Sequence, residues 1–288
     1  MDRRLEQSDE HSSPTRDARW GFFMPICQTV SSREVDSPVL NSFGYLSVLP
    51  MYDGTGMYSL REATRLVQAQ SRDLNRWLFG YHYQKGRGEK AVRAFSAPLW
   101  KTQVDLATYD EPVIGFRDLL EARFVQAFIA HGVPLAVIRR CLENAQAIYG
   151  VEYPFTTLQF KTDGKTIFGD AIKQVESDGA MVGLRSRQGV FKDIIHPSLY
   201  AGIEYSGSQA TRWYPASRRD RVVLDPSRQF GSPIIEDTGT PTDALCASFL
   251  AEGASDRALH ITSEAYNVAP RYVRSAVKFE ESLRRTAN

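Results

Sequence analysis

Between Ser71 and Leu78 the stretch SRDLNRWL sets Leu74, Trp77 and Leu78 at i, i+3 and i+4, the spacing of one buried helical face. The opposite face carries Arg72, Asn75 and Arg76. An arginine fork suits a guanine edge or a phosphate, and an asparagine amide can pair bidentately with adenine. From Tyr58 to Lys101 there are nine Lys or Arg against three acids, in a chain whose formal charge is only +1. A basic stripe isolated on a near-neutral protein is the footprint of a phosphate-binding surface. The plain counterpart is a helical hairpin with a solvated charged face. The coincidence of apolar stripe, helix start and basic run points instead to a reader of duplex DNA.

Several elements must hold such a reader. Upstream, Ser59 is placed to cap a helix whose inner face is Leu60, Ala63, Leu66 and Val67. Gln68 to Gln70 make a turn, Ser71 is expected to cap the second helix, and Gly80 to end it. Tyr81-His82-Tyr83 then leads into Lys85-Gly86-Arg87-Gly88, a glycine-broken basic loop flanked by aromatics. That pattern predicts a β-ribbon wing whose tip touches the DNA backbone beside the groove. The expected DNA-contacting set is Ser59, Arg61, Ser71, Arg72, Asn75, Arg76, Tyr81, Lys85 and Arg87. Two further amphipathic helices are predicted, from Phe116 to about Ala130 and from Pro134 to about Tyr149, with Gly132 as the stop between them.

The block YSLREATRLVQAQSRDLNRWLFGY, followed by VIGFRDLLEARFVQAFIAHGVPLAVIRRCLENA, resembles a MerR-type winged helix-turn-helix domain. Tyr58, Ala63, the helix from Ser71 to Leu78 and the helix pair from Phe116 to Tyr149 carry the resemblance. The long dimerising helix and ligand-binding tail typical of that family have no counterpart after Tyr149.

The chain as a whole excludes other classes. No apolar run approaches the roughly 20 residues needed to span a bilayer, and no apolar core follows the N-terminal arginines as in a secretory signal. The three scattered cysteines, Cys27, Cys141 and Cys246, argue against a disulfide framework and for a reducing cytosol. Neither a metal-ligand spacing nor a nucleophile–base motif is found, so no cofactor, metal or catalytic residue is expected. Residues 1–38 are polar and aperiodic, the composition of a disordered segment. Residues 157–169 read as a β-hairpin turning at Asp163-Gly164. Gly164-Lys165-Thr166 imitates the end of a P-loop, but Gln159 stands where glycine is required.

From Tyr214 onward the pattern is a strand at Val222 to Leu224 and then three helices. One opens at Pro241-Thr242, one is capped by Ser255, and one carries Tyr272, Val273, Ala276 and Phe279. Gly231, Pro233, Ile235, Thr238, Pro241, Gly253, Ser255, Tyr266, Val273 and Ala276 resemble the C-terminal domain of VapB-class antitoxins, with Asp237 where glycine is usual. The resemblance implies a bacterial, cytoplasmic antitoxin, nucleoid-associated when bound to its operator. Such a protein is a homodimer that represses its own operon on double-stranded operator DNA and neutralises a PIN-domain ribonuclease toxin by direct contact. Arg185, Arg187, Arg218 and Arg219 are the candidates for toxin contact. The alternative is a stand-alone MerR-like regulator without a toxin. The expected fold is mainly α with small β elements (α+β): two small helix-turn-helix-like domains joined by a linker containing the β-hairpin. The expected segments are 1–38, 39–150, 151–212 and 213–288.

Overall fold

The computed structural model describes residues 54–86, 92–105, 109, 111–179 and 197–285, all within one unit spanning Pro50–Asn288. The two-residue strand β1 (Tyr58–Ser59) leads into α1 (Leu60–Val67) and α2 (Ser71–Phe79). A ribbon follows, β2 (Tyr81–Lys85) paired antiparallel with β3 (Val92–Ser96). Strand β4 (Val113–Ile114) pairs with β1 and opens α3 (Phe116–Ala130), which is followed by α4 (Leu135–Tyr149) and α5 (Leu158–Ser177). A single turn, α6 (Pro197–Tyr200), precedes a four-stranded antiparallel sheet in chain order: β5 (Ile203–Ser206), β6 (Gln209–Trp213), β7 (Val222–Leu224) and β8 (Pro233–Ile235). The chain closes with α7 (Thr242–Ala251), α8 (Asp256–Ala265) and α9 (Pro270–Arg285). The mixed α+β class agrees with the sequence.

Helix α3 is the hub. Phe116, Leu119, Leu120, Phe124, Val125 and Phe128 are all buried, so it is enclosed on almost every side rather than on one stripe. Two acids share that burial. Asp118 accepts hydrogen bonds from the backbone N–H of Gln103 and Gly115 and from the Trp100 indole, which pins the 100–103 loop over the start of the helix. Glu121 accepts from the backbone N–H of Phe155 (3.0 Å) and Thr156 (3.3 Å), tying α3 to the turn that begins α5. Burial lifts both carboxyls above their ordinary values, Glu121 to about 8.

The hairpin expected at 157–169 is not formed. Thr157 caps α5 by accepting from the Phe160 N–H, and the helix runs unbroken through Asp163 and Gly164. Phe160, Gly164, Ile167, Phe168, Ala171, Ile172 and Val175 are its buried residues, a spacing of three and four that only a helix satisfies. Phe168 stacks on Phe128 of α3 with centroids 5.8 Å apart, and tertiary packing thus overrides the turn preference of Asp-Gly.

One buried cluster takes side chains from Tyr58 through Leu283, so the last three helices and the sheet pack with the front helices in a common core. The Tyr58 hydroxyl donates to the Gly231 carbonyl at 2.8 Å, and the Met57 N–H donates to the Phe230 carbonyl. Gly231 has φ +83°, and a Cβ there would lie 2.5 Å from the Tyr58 oxygen, so glycine is required both for conformation and for the approach of β1. Asp237, the departure noted above, accepts hydrogen bonds from Arg221 and from the Tyr272 hydroxyl of α9. Those donors hold its carboxyl below the usual carboxylate range. Among the described residues no helix is long and apolar enough to cross a membrane.

Candidate nucleic-acid interface

Helix α1 begins with a reciprocal cap. Ser59 accepts from the Glu62 N–H, and the Glu62 carboxylate takes the Ser59 N–H at 2.9 Å. At its other end Gln68 adopts the left-handed conformation (φ 59°) and Ala69 is buried, so the chain turns in three residues. The second helix then packs on the first through Leu74 (0% exposed), Trp77 (2%) and Leu78 (2%). Burying such side chains stabilises by about 1.5–3 kcal/mol each. The carbonyl of Trp77 accepts the Leu99 N–H, which fastens the strand leaving the ribbon to the end of α2.

The N-terminus of α2 differs from expectation in one detail. Gln70 occupies the cap position without a side-chain hydrogen bond, and Ser71 is the first helical residue. The turn is already complete with Gln68 and the buried Ala69, which leaves Gln70 as the extended residue that hands the chain to the helix.

The outer face of α2 is accessible. Arg72 is exposed and makes no ion pair or hydrogen bond with another side chain among the described residues. Asn75 donates its amide to the Ser71 carbonyl at 2.8 Å, a bond it must release to pair with a base. Arg76 lies 3.8 Å from Asp73 and 4.9 Å from the centroid of the Tyr81 ring. The Tyr81 ring is in turn 5.9 Å from Tyr83 on the same face of the ribbon. Because directly paired residues share a face, Tyr81, Tyr83 and Lys85 line up with Ser96, Ala94 and Val92. The face next to α2 is therefore a row of cation, two aromatics and cation. His82, Phe95, Gln84 and Arg93 make the other face, with the His82 and Phe95 rings 4.9 Å apart.

The predicted wing is thus a ribbon beside the reader, with Lys85 exposed at the far end of β2. Arg87 lies outside the described residues. Arg61 is exposed on α1, whereas the Ser59 hydroxyl is engaged by Glu62. Two of the four toxin-contact candidates, Arg218 and Arg219, are among the described residues. Arg185 and Arg187 lie outside the described residues. Arg218 donates to Glu204 at 2.8 Å and sits over the Tyr214 ring, and both it and the neighbouring Arg219 are exposed.

Two residues that shape this surface were not assigned from sequence. Arg139 of α4 donates to the carbonyls of Pro98 (2.9 Å) and Ala97 (2.7 Å) and to the Ser96 hydroxyl (3.2 Å), clamping the foot of the ribbon. Arg65 belongs to the basic run but is turned inward to Glu280 of α9 at 3.3 Å. Glu280 is buried and also accepts from the Thr242 hydroxyl at 2.6 Å. Spacing along the chain gives no sign of a partner 215 residues away.

Residues 56–142 match a family model described as "Putative DNA-binding HTH domain". The chain carries a helix-turn-helix domain. The matched span takes in β1, both helices of the reader, the ribbon, α3 and the first half of α4. Over 235 residues the chain is 26% identical to a Mycobacterium tuberculosis protein named "Putative antitoxin VapB45", covering 77% of this chain and 92% of that relative. A crystal structure of Rv2018 from Mycobacterium tuberculosis has the same fold, with a TM-score of 0.54 and 21% identity over 76% of this chain and 96% of that one.

Proposed function

We propose that this protein is a DNA-binding antitoxin that represses its own operon and neutralises a PIN-domain ribonuclease by direct contact. The observation that carries the DNA half is the division of α2, with Leu74, Trp77 and Leu78 sealed inside while Arg72, Asn75 and Arg76 face out beside a basic ribbon. A MerR-like arrangement follows: α2 enters the major groove and the ribbon follows the backbone next to it. A homodimer would place two copies of α2 one helical turn apart on a near-palindromic operator. The protein would act in the cytoplasm, on the nucleoid when operator-bound, and by binding rather than by catalysis.

The antitoxin half is supported by the similarity to the mycobacterial relative over most of both chains. Arg218 and Arg219 are both exposed, and because Arg218 is paired with Glu204 the preferred toxin-contact candidate is Arg219. Footprinting on the DNA upstream of the gene tests the first half, and protection of paired sites about 10 bp apart is expected. Co-purification with a PIN-domain nuclease encoded beside it tests the second. Failure of the nuclease to co-purify, with footprints intact, would leave the regulator reading alone. One observation favours that second reading: α9 and α1 are joined by the Arg65–Glu280 pair inside a shared core, so the C-terminal helices bear directly on the reader.

A further inference from the structure

The ribbon of β2 and β3 has side chains in water on both faces. Of the large hydrophobic side chains exposed among the described residues, three belong to these two strands: Tyr83 (42% exposed), Val92 (66%) and Phe95 (54%). The same strands hold two cations, Lys85 and Arg93, and no acid. Tyr83, Val92 and Lys85 share the face beside α2. Phe95, His82, Gln84 and Arg93 form the opposite face, which the duplex reading does not use.

On that opposite face the His82 and Phe95 rings lie 4.9 Å apart, tilted by 49°. The Phe95 ring packs closely over Gly80, where a Cβ would fall 2.7 Å from it. The ring is thus held in place while more than half of the residue stays open to solvent. The next pair along the face is Gln84 and Arg93, two residues of strand away, which is about 7 Å. His82, Gln84 and Arg93 are all exposed. A positioned ring, an amide and a guanidinium in one row match the base face, base edge and phosphate of a single nucleotide.

Other occupants fit this row less well. An apolar protein surface would strand the Arg93 charge, and a duplex keeps its base faces covered in the stack. An unpaired strand offers both an open base and an anion. We infer that the His82–Phe95 face binds single-stranded nucleic acid, with a base stacked on Phe95 and a phosphate on Arg93. This goes beyond duplex reading by α2 and does not depend on it, because none of these four residues belongs to the expected duplex-contacting set.

Fluorescence anisotropy on the full chain tests it with labelled oligothymidylate and oligouridylate of about 12 nucleotides, a length within single-strand site sizes. The reference is an abasic deoxyribose-phosphate strand of equal charge. Saturable binding of at least one base-bearing strand is expected, with the abasic strand about tenfold weaker, as loss of stacking implies. Binding of thymidylate alone or of uridylate alone assigns the face to DNA or to RNA. Phe95→Leu, apolar but without a π face, should weaken binding about tenfold, whereas Phe95→Tyr should keep it. Arg93→Gln should flatten the salt slope by about 0.7. No saturable binding, equal binding of the abasic strand, or unchanged affinity in a folded Phe95→Leu variant would each overturn the inference. So would loss of the upstream-duplex gel shift together with single-strand binding in Phe95→Leu, since the ring would then only prop the ribbon. If wild type fails to shift the duplex but still binds the single strand, the α2 reading falls and this one stands.

Discussion

Replacing Arg139 by Met separates the ribbon's contribution to DNA binding from that of α2. Arg139 touches no expected DNA contact, yet it makes three hydrogen bonds to residues 96–98 at the foot of β3. Bonds from a charged donor are worth about 1.5–3 kcal/mol when buried. This guanidinium is partly exposed, so a net of about 2 kcal/mol for the three together is the reasonable magnitude. That shifts the local docking equilibrium of the ribbon by a factor of roughly 30. The ribbon face beside α2 carries the exposed Lys85. If it neutralises one phosphate, the slope of log K against log salt should flatten by about 0.9 when the ribbon is no longer held. The assay is a gel-shift series over several salt concentrations for wild type, Arg139→Met and Arg139→Lys, with circular dichroism as the check on folding. Lysine restores a charge but not the fork, and an intermediate slope is expected. A folded Arg139→Met variant with the wild-type slope would refute the argument that the clamped ribbon holds DNA.

Three other outcomes follow from the geometry. Gly231→Ala should destabilise by about 1–3 kcal/mol in urea melts, because alanine is forced to positive φ and its Cβ meets the Tyr58 hydroxyl. Glu121 is lifted by burial from 4.5 to about 8, so between those values the folded chain holds a proton that the unfolded chain has lost. Its contribution therefore makes stability fall as pH rises through that window, by at most about 1.4 kcal/mol per pH unit. Urea melts across the window should show a flatter profile for Glu121→Gln, and an identical profile would remove Glu121 as the source. Arg219→Ala should weaken co-purification with the nuclease while leaving gel shifts unchanged; loss of DNA binding instead would place Arg219 with the reader.

The reader was legible because its signals are local. Ser59 and Glu62 make a cap within one turn, Leu74, Trp77 and Leu78 mark one face, and the last three helices announce themselves through Ser255 and the Tyr272–Ala276 spacing. Helix α5 was missed because Asp163-Gly164 is a strong turn signal and the hairpin reading stopped at Gly169. The periodicity that settles the matter continues through Ala171, Ile172 and Val175. What sequence could not give were the ties between distant segments: Tyr58 to Gly231, Arg65 to Glu280, and Arg139 to the ribbon. Each is a polar tie whose partners bear no fixed spacing, so periodicity and caps carry no trace of it.

The central claim is that the outer face of α2 reads base sequence. Gel-shift titrations of wild type and the triple variant Arg72→Ala/Asn75→Ala/Arg76→Ala, on the upstream duplex and a scrambled duplex at one salt concentration, test it directly. Each base-pairing side chain should contribute about 1–3 kcal/mol to discrimination. The triple variant, its inner face untouched, should fold, bind both duplexes weakly through the ribbon and show no preference between them. A folded triple variant that still prefers the upstream duplex as strongly as wild type would contradict the claim.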